Sequence, residues 1–125
     1  MWRQFNPNPY GARAGDCAVR AICKATGKTW EDVYMDLCLM GLRFGDFGSA
    51  NCVWGAYLRE NGYERVAIPS DDPDCTVERF AAEHPNGTFI LALSGHVVTL
   101  QDGCWHDTWD SGQCPVIYYW IKQED

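Results

Sequence analysis

Apolar residues recur every three or four positions through the first half of the chain, a spacing that predicts amphipathic helices. Helices are expected over residues 17–25, from about 30 to 40, and from 49 to 61. Asp16 is the expected N-cap of the first helix, because its carboxylate can accept a first-turn N–H. Residues 41–48 are rich in glycine and are expected to form a loop.

Beyond Gly62, apolar and polar residues alternate, which is the pattern of strands with one buried face. Strands are expected over residues 64–68, 88–93, 95–100, 104–108 and 115–122, with a short helix capped by Thr76 and ending at Glu83. Helices followed by a run of strands predict an α+β fold with a mostly antiparallel sheet. A chain of 125 residues is long enough for one such domain.

The Asp-Gly step at 102–103 separates two of these strands and is a strong signal for a hairpin with a two-residue type I′ turn. Such a turn makes residues 101 and 104 face each other. Counting outward from that pair makes Asp107 a diagonal cross-strand neighbour of His96. Asp110 falls on the opposite face and is therefore the reserve partner for this histidine.

Cys17 stands at the start of the first predicted helix, where the positive end of the helix dipole favours a thiolate. His96, on a later strand, is the group expected to take its proton, and Asp107 the group expected to orient the imidazole. The backbone N–H of Cys17 is the first expected oxyanion donor. Asn8 is assigned provisionally as the side-chain donor, with two alternatives upstream of the cysteine: Asn6 and Gln4.

An aromatic side chain near the predicted pair of His96 and Asp107 is expected to shield their hydrogen bond from water. The same alternation places both Trp105 and Trp109 on the face that carries this pair, and either can serve.

Charge and composition narrow the classes of function. The formal net charge is −7 and the ten Lys and Arg residues are scattered, so a nucleic-acid partner is not expected. No apolar run is long enough to span a bilayer, and no membrane association is expected. The first residues contain no apolar signal-peptide core, which predicts a cytoplasmic location.

Seven cysteines cannot all pair with one another and none lies in a C-x-x-C motif, so reduced thiols are expected. A structural zinc site at Cys104, His106 and Cys114 is an alternative, but their spacing lacks the paired-ligand pattern. No cofactor is expected.

A cysteine at the start of the first long helix, followed by His and Asp on neighbouring strands of a C-terminal sheet, resembles the papain-like cysteine peptidase superfamily. Segments 15–17 (GDC), 95–98 (GHVV) and 107–110 (DTWD) are similar to small proteins of bacterial mobile elements. Bacteriocin-leader-processing and phage-associated peptidase domains are the branches nearest in size. The resemblance extends over residues 6–119 and implies a single papain-like domain over 1–125.

This resemblance implies hydrolysis of a peptide or isopeptide bond in a protein or peptide substrate, with Cys17, His96 and Asp107 as the triad. Papain-like enzymes usually carry a glutamine a few residues before the cysteine, and residues 10–14 contain none. The same triad also supports acyl transfer or deamidation. An inactive papain-like fold that serves as a binding module is the alternative from a different class.

Overall fold

The computed structural model describes residues 1–12, 14–69, 72 and 74–123. The helices of this part of the chain are α1 (Cys17–Thr26), α2 (Trp30–Phe44), α3 (Asn51–Glu60) and α4 (Val77–Glu83). Its strands are β1 (Trp2–Gln4), β2 (Tyr63–Ala67), β3 (Thr88–Leu93), β4 (His96–Gln101), β5 (Cys104–Asp107) and β6 (Tyr118–Lys122). The expected α+β class is confirmed. None of the helices in the described ranges has the length and apolar character needed to cross a bilayer.

The six strands form one mixed sheet in the order β1-β5-β4-β3-β6-β2. Every neighbouring pair is antiparallel except β1 and β5, which are parallel. Each predicted strand is present; β3 has the predicted bounds, and the ends of the others are shifted by no more than three residues. The edge strand β1 is additional, because three residues are too few to show an alternating pattern.

The second helix is longer than its apolar pattern predicts. Thr29 accepts the backbone N–H of Asp32 at 3.2 Å, which confirms the predicted start of α2. The helix then continues through Gly41 to Phe44, so the expectation of a loop from residue 41 is wrong. A Cβ atom at Gly41 would overlap the backbone oxygen of Asp46. The glycine therefore lets the following turn pack closely against the helix rather than ending it.

Replacing Gly41 by Ala should lower the free energy of unfolding by about 1–2 kcal/mol. Overlap with the Asp46 backbone costs about 1–3 kcal/mol, which the better helix propensity of alanine only partly offsets. Urea unfolding measures the change, and Gly15→Ala is the matched control because a Cβ there meets nothing within 4 Å. A Gly41→Ala protein more stable than the wild type would show that helix propensity dominates.

Apolar side chains pack against both faces of the sheet. Helices α1, α2 and α3 cover one face, where Ile90 and Ala92 of β3 point, and α4 covers the other. Val98, Leu100 and Trp105 lie together in the cluster beside α4, which confirms the predicted shared face of β4 and β5 for these residues.

Helix α1 is joined to the sheet by a buried hydrogen bond. The hydroxyl of Thr99 in β4 donates to the backbone oxygen of Ala21 at 2.6 Å. This bond holds the helix against β4, the strand that begins at His96.

Candidate active site

The predicted hairpin forms and brings His96 to Asp107. Residues 101 and 104 face each other, and the two turn residues have φ values of 49° and 80°, the positive values that a type I′ turn requires. His96 Nε2 lies 2.5 Å from Asp107 Oδ2, so the contact predicted from the register is confirmed. Asp107 is 2% exposed, and this carboxylate is therefore almost entirely removed from water.

Asp110 is engaged elsewhere. Its Oδ1 accepts the indole N–H of Trp105 at 2.8 Å and the backbone N–H of Gly112 at 3.0 Å. These two hydrogen bonds hold the pKa of the Asp110 carboxyl below its ordinary value. The hydrogen bonds to Trp105 and Gly112 explain why the reserve candidate is not the partner of His96.

Cys17 is the first residue of α1 and is partly buried beside the His96 ring. Burial alone would raise the pKa of its thiol. The hydrogen bond and positive charge of His96, together with the backbone N–H of Val97 and the charge of Arg20, act in the opposite direction and leave the pKa below its ordinary value. The surroundings of Cys17 therefore favour the thiolate more than those of an ordinary thiol do.

The pKa of the His96 imidazole is shifted in the opposite direction. Burial alone would lower its pKa, but the hydrogen bonds to Asp107 and to Cys17 raise the pKa to about 9. Since Nε2 binds Asp107, Nδ1 is the nitrogen that remains to face the sulfur. The two shifts both favour the charged forms, the thiolate of Cys17 and the imidazolium of His96.

An aromatic ring covers this pair on one side. The ring centroid of Trp109 lies 4.8 Å from that of His96. Trp105, the other candidate shield, is buried and donates its indole N–H to Asp110 instead. Trp109 is thus the residue that limits the access of water to the imidazole.

Asp16 occupies the N-cap position of α1 as predicted, but its side chain makes no capping hydrogen bond. Its carboxylate pairs instead with Arg20 and accepts the indole N–H of Trp30 at 2.9 Å. A charge-assisted bond to a buried guanidinium is stronger than a bond to a neutral amide, which explains the choice. The first-turn N–H groups, that of Cys17 included, therefore have no side-chain cap and are available to bind an oxyanion.

Asn8 is the upstream side chain that reaches the site. It is buried and lines the same cleft as Cys17, whereas Gln4 is exposed on β1 and Asn6 is not among the lining residues. The Asn8 Oδ1 accepts the backbone N–H of Tyr10 at 2.9 Å, which fixes the orientation of the amide. Its Nδ2 has no acceptor within the described residues and is a suitable second oxyanion donor.

The site opens into a cleft of about 870 Å³ between the helices and the β3–β4 turn. Its walls are largely apolar and aromatic, with contributions from Trp30, Tyr34, Leu37, Phe47, Trp54, Ile117 and Tyr118. Among the described residues, Asp16 and His96 supply the only carboxylate and imidazole that line the cleft, and no Lys or Arg of that part of the chain lines it. Such a cleft suits an uncharged acyl group with apolar substituents.

The alternative zinc site is not formed by Cys104, His106 and Cys114. Within the described ranges, no three His, Cys, Asp or Glu side chains are grouped as a metal-ligand set.

Arg20, which binds both Asp16 and Asp107, was not identified from the sequence. Its only signal is an oppositely charged residue four positions earlier at the start of the helix.

No family model, curated protein or solved structure matches this chain. The function is therefore inferred from the chemistry and geometry of the site residues.

Proposed function

We propose that this protein is a cysteine peptidase-like hydrolase of papain-like architecture that cleaves a peptide or isopeptide bond through a thioester on Cys17. The observation that carries the proposal is the position of the His96 imidazole, which lies beside the Cys17 thiol in one cleft and binds the buried Asp107 carboxylate through Nε2. The three residues come from a helix and two strands, and Cys17 and His96 line the largely apolar cleft.

The first half of the reaction forms the thioester. The Cys17 thiolate attacks the carbonyl carbon of the scissile bond, and the carbonyl oxygen becomes an oxyanion that accepts the Cys17 N–H and the Asn8 amide. When the C–N bond breaks, the imidazolium of His96 gives its Nδ1 proton to the leaving amine. Asp107 keeps the ring in position through Nε2 and stabilises its positive charge.

The second half releases the acid. Neutral His96 takes a proton from a water molecule, whose oxygen attacks the thioester carbonyl. The C–S bond then breaks, the Cys17 thiolate and the imidazolium return, and the carboxylic acid leaves. An amine in place of water would give acyl transfer, and a side-chain amide as substrate would give deamidation, with the same residues in the same roles.

The electrostatics favour an active enzyme over an inactive binding module. A module that only binds has no need for a low thiol pKa next to a raised imidazole pKa. Here the two shifts occur together, beside a helix start that Asp16 does not cap and an Asn8 Nδ2 that has no acceptor among the described residues.

Alkylation with iodoacetamide at pH 6 tests the proposal without knowledge of the substrate. An ordinary thiol is roughly 0.1–0.3% ionised at that pH, whereas the lowered pKa of Cys17 should give a far larger thiolate fraction. After allowance for the lower nucleophilicity of a low-pKa thiolate, Cys17 should react about 10-fold faster than any other cysteine. Peptide mass spectrometry at timed intervals measures each rate.

The comparison is demanding because Cys38 and Cys52 are exposed, while Cys17 is partly buried. Access alone would therefore make the two exposed thiols react first. Equal rates for all cysteines, or faster reaction at Cys38 and Cys52, would contradict the assignment of Cys17 as a nucleophile and favour the binding module.

A further inference from the structure

A buried chain of charged groups extends beyond the triad. The Arg20 guanidinium is 9% exposed and donates from Nη2 to Asp107 Oδ1 at 3.3 Å. From Nη1 it binds Asp16, the residue directly before the nucleophile. One side chain of α1 therefore connects the start of the nucleophile's helix to the carboxylate that holds His96.

Packing does not account for a charge at this position. A buried ion pair loses much of its Coulombic gain to desolvation, and apolar residues of similar size often give equal or greater stability. The Arg20 Nε also lacks a partner within the described residues, which adds a further cost. An arginine placed here at such a cost is best explained by what its charge does to its neighbours.

The Asp107 carboxylate is the neighbour that requires this charge. Asp107 is buried, and removing a carboxylate from water is costly unless a positive charge and hydrogen-bond donors compensate. Its Oδ1 accepts the backbone N–H of Thr108 at 2.7 Å and the Arg20 guanidinium, while Oδ2 is left for His96. Arg20 thus places a positive charge against the carboxylate and leaves one of its oxygens for the histidine.

Asp16 completes the arrangement from the other side. It holds Arg20 in place, and because its carboxylate is committed to Arg20 and Trp30 it does not cap α1. The same ion pair that orients Arg20 therefore leaves the Cys17 N–H uncapped.

We propose that Arg20, held by Asp16, is a positioning residue that fixes the Asp107 carboxylate against His96 and so maintains the Cys17–His96 pair. This inference rests on the proposed function, since it assigns a role within that site. Arg20 is a positioning residue rather than a catalytic one, because it binds Asp16 and Asp107 and does not line the cleft.

The pH dependence of Cys17 alkylation tests the inference. In Arg20→Met, the apparent pKa of Cys17 should rise by roughly 0.5–1 and its alkylation rate at pH 6 should fall about 2–4-fold. Arg79→Met is the matched control, because Arg79 forms exposed ion pairs with Asp72 and Glu83 on the far side of the sheet. That control should reproduce the wild-type profile.

A double-mutant cycle separates action through Asp107 from a general effect on folding. If Arg20 acts through Asp107, adding Arg20→Met to Asp107→Asn should change the profile much less than Arg20→Met does alone. Fully additive effects would overturn the inference, as would a folded Arg20→Met protein with the wild-type profile. A wild-type Cys17 with an ordinary pKa would instead overturn the proposed function itself, so the two failures are distinguishable.

Arg20→Lys keeps the test decisive if Arg20→Met does not fold. Lysine retains the charge but lacks the fork that reaches two carboxylates. A raised Cys17 pKa in folded Arg20→Lys supports the inference, and an unchanged pKa contradicts it. Circular dichroism and thermal unfolding establish which variants are folded.

Discussion

Replacing Cys17 by Ala should abolish hydrolysis of an acyl substrate, and replacing His96 by Ala should lower kcat/KM by about 10³-fold or more. Without the sulfur no thioester can form. Without the imidazole, the thiol loses the group that lowers its pKa, and the water that hydrolyses the thioester loses its general base. A p-nitrophenyl ester of an N-acylated aromatic amino acid is a suitable substrate, because its uncharged apolar group matches the cleft walls.

Two substitutions outside the site serve as matched controls. Cys52→Ala removes an exposed thiol at the start of α3, and His106→Ala removes a histidine that lies beside Phe5. Neither residue lines the cleft, so both variants should retain the wild-type rate. The pair of controls distinguishes loss of the nucleophile and base from loss of any cysteine or any histidine.

The covalent intermediate gives a second measurement. Rapid acid quenching of the wild-type protein with the ester should yield a mass increase equal to the acyl group, located on the peptide that contains Cys17. A Cys17→Ala protein that still turns over the ester at the wild-type rate would contradict the mechanism. Adducts on Cys38 or Cys52 instead of Cys17 would point to surface acylation.

The hairpin shows why part of the site can be predicted from sequence. A two-residue turn fixes the register of its strands, so the count from the Asp-Gly step identifies Asp107 rather than Asp110 as the neighbour of His96. Local chemistry at 102–103 is sufficient for this result, because no distant part of the chain is needed to set the pairing. The helix start at Cys17 is local for the same reason.

The contacts of Arg20 and Asp16 could not be predicted from the sequence. Helical periodicity places Arg20 on α1 but does not reveal that β5 brings a buried carboxylate to it from 87 positions away. Asp16 was expected to cap the helix, since nothing local shows that a buried guanidinium and the Trp30 indole compete for its oxygens. The extra turn of α2 could not be predicted for the same reason. The glycine inside the helix is explained by the turn at Asp46 that packs against it, and the local sequence does not show this contact.

The pH dependence of the reaction should be a bell whose alkaline limb depends on Asp107. With an amide substrate, the rate should rise as pH passes the lowered pKa of Cys17 and fall near pH 9, where His96 loses the proton needed by the leaving amine. In Asp107→Asn the carboxylate charge that raises the His96 pKa is gone. The alkaline limb should therefore move to lower pH, and the maximum of kcat/KM should fall roughly 10²-fold or more.

Asp110→Asn is the matched control for this prediction. Its carboxylate binds Trp105 and Gly112 rather than His96, so the bell should keep both of its limbs. An alkaline limb that moves in Asp110→Asn but not in Asp107→Asn would reverse the assignment of the two carboxylates.

The contribution of the His96–Asp107 pair to the free energy of unfolding should also fall as pH rises. Equilibrium unfolding measures this contribution without any substrate. The folded-state pKa of His96 is about 9, above the ordinary value of 6.5, so its interaction with Asp107 contributes fully below pH 6.5 and is lost as pH rises through 9. The loss of unfolding free energy caused by Asp107→Asn should therefore be larger at pH 6 than at pH 10. A loss that is the same at both values would mean that the His96–Asp107 pair does not carry this charge.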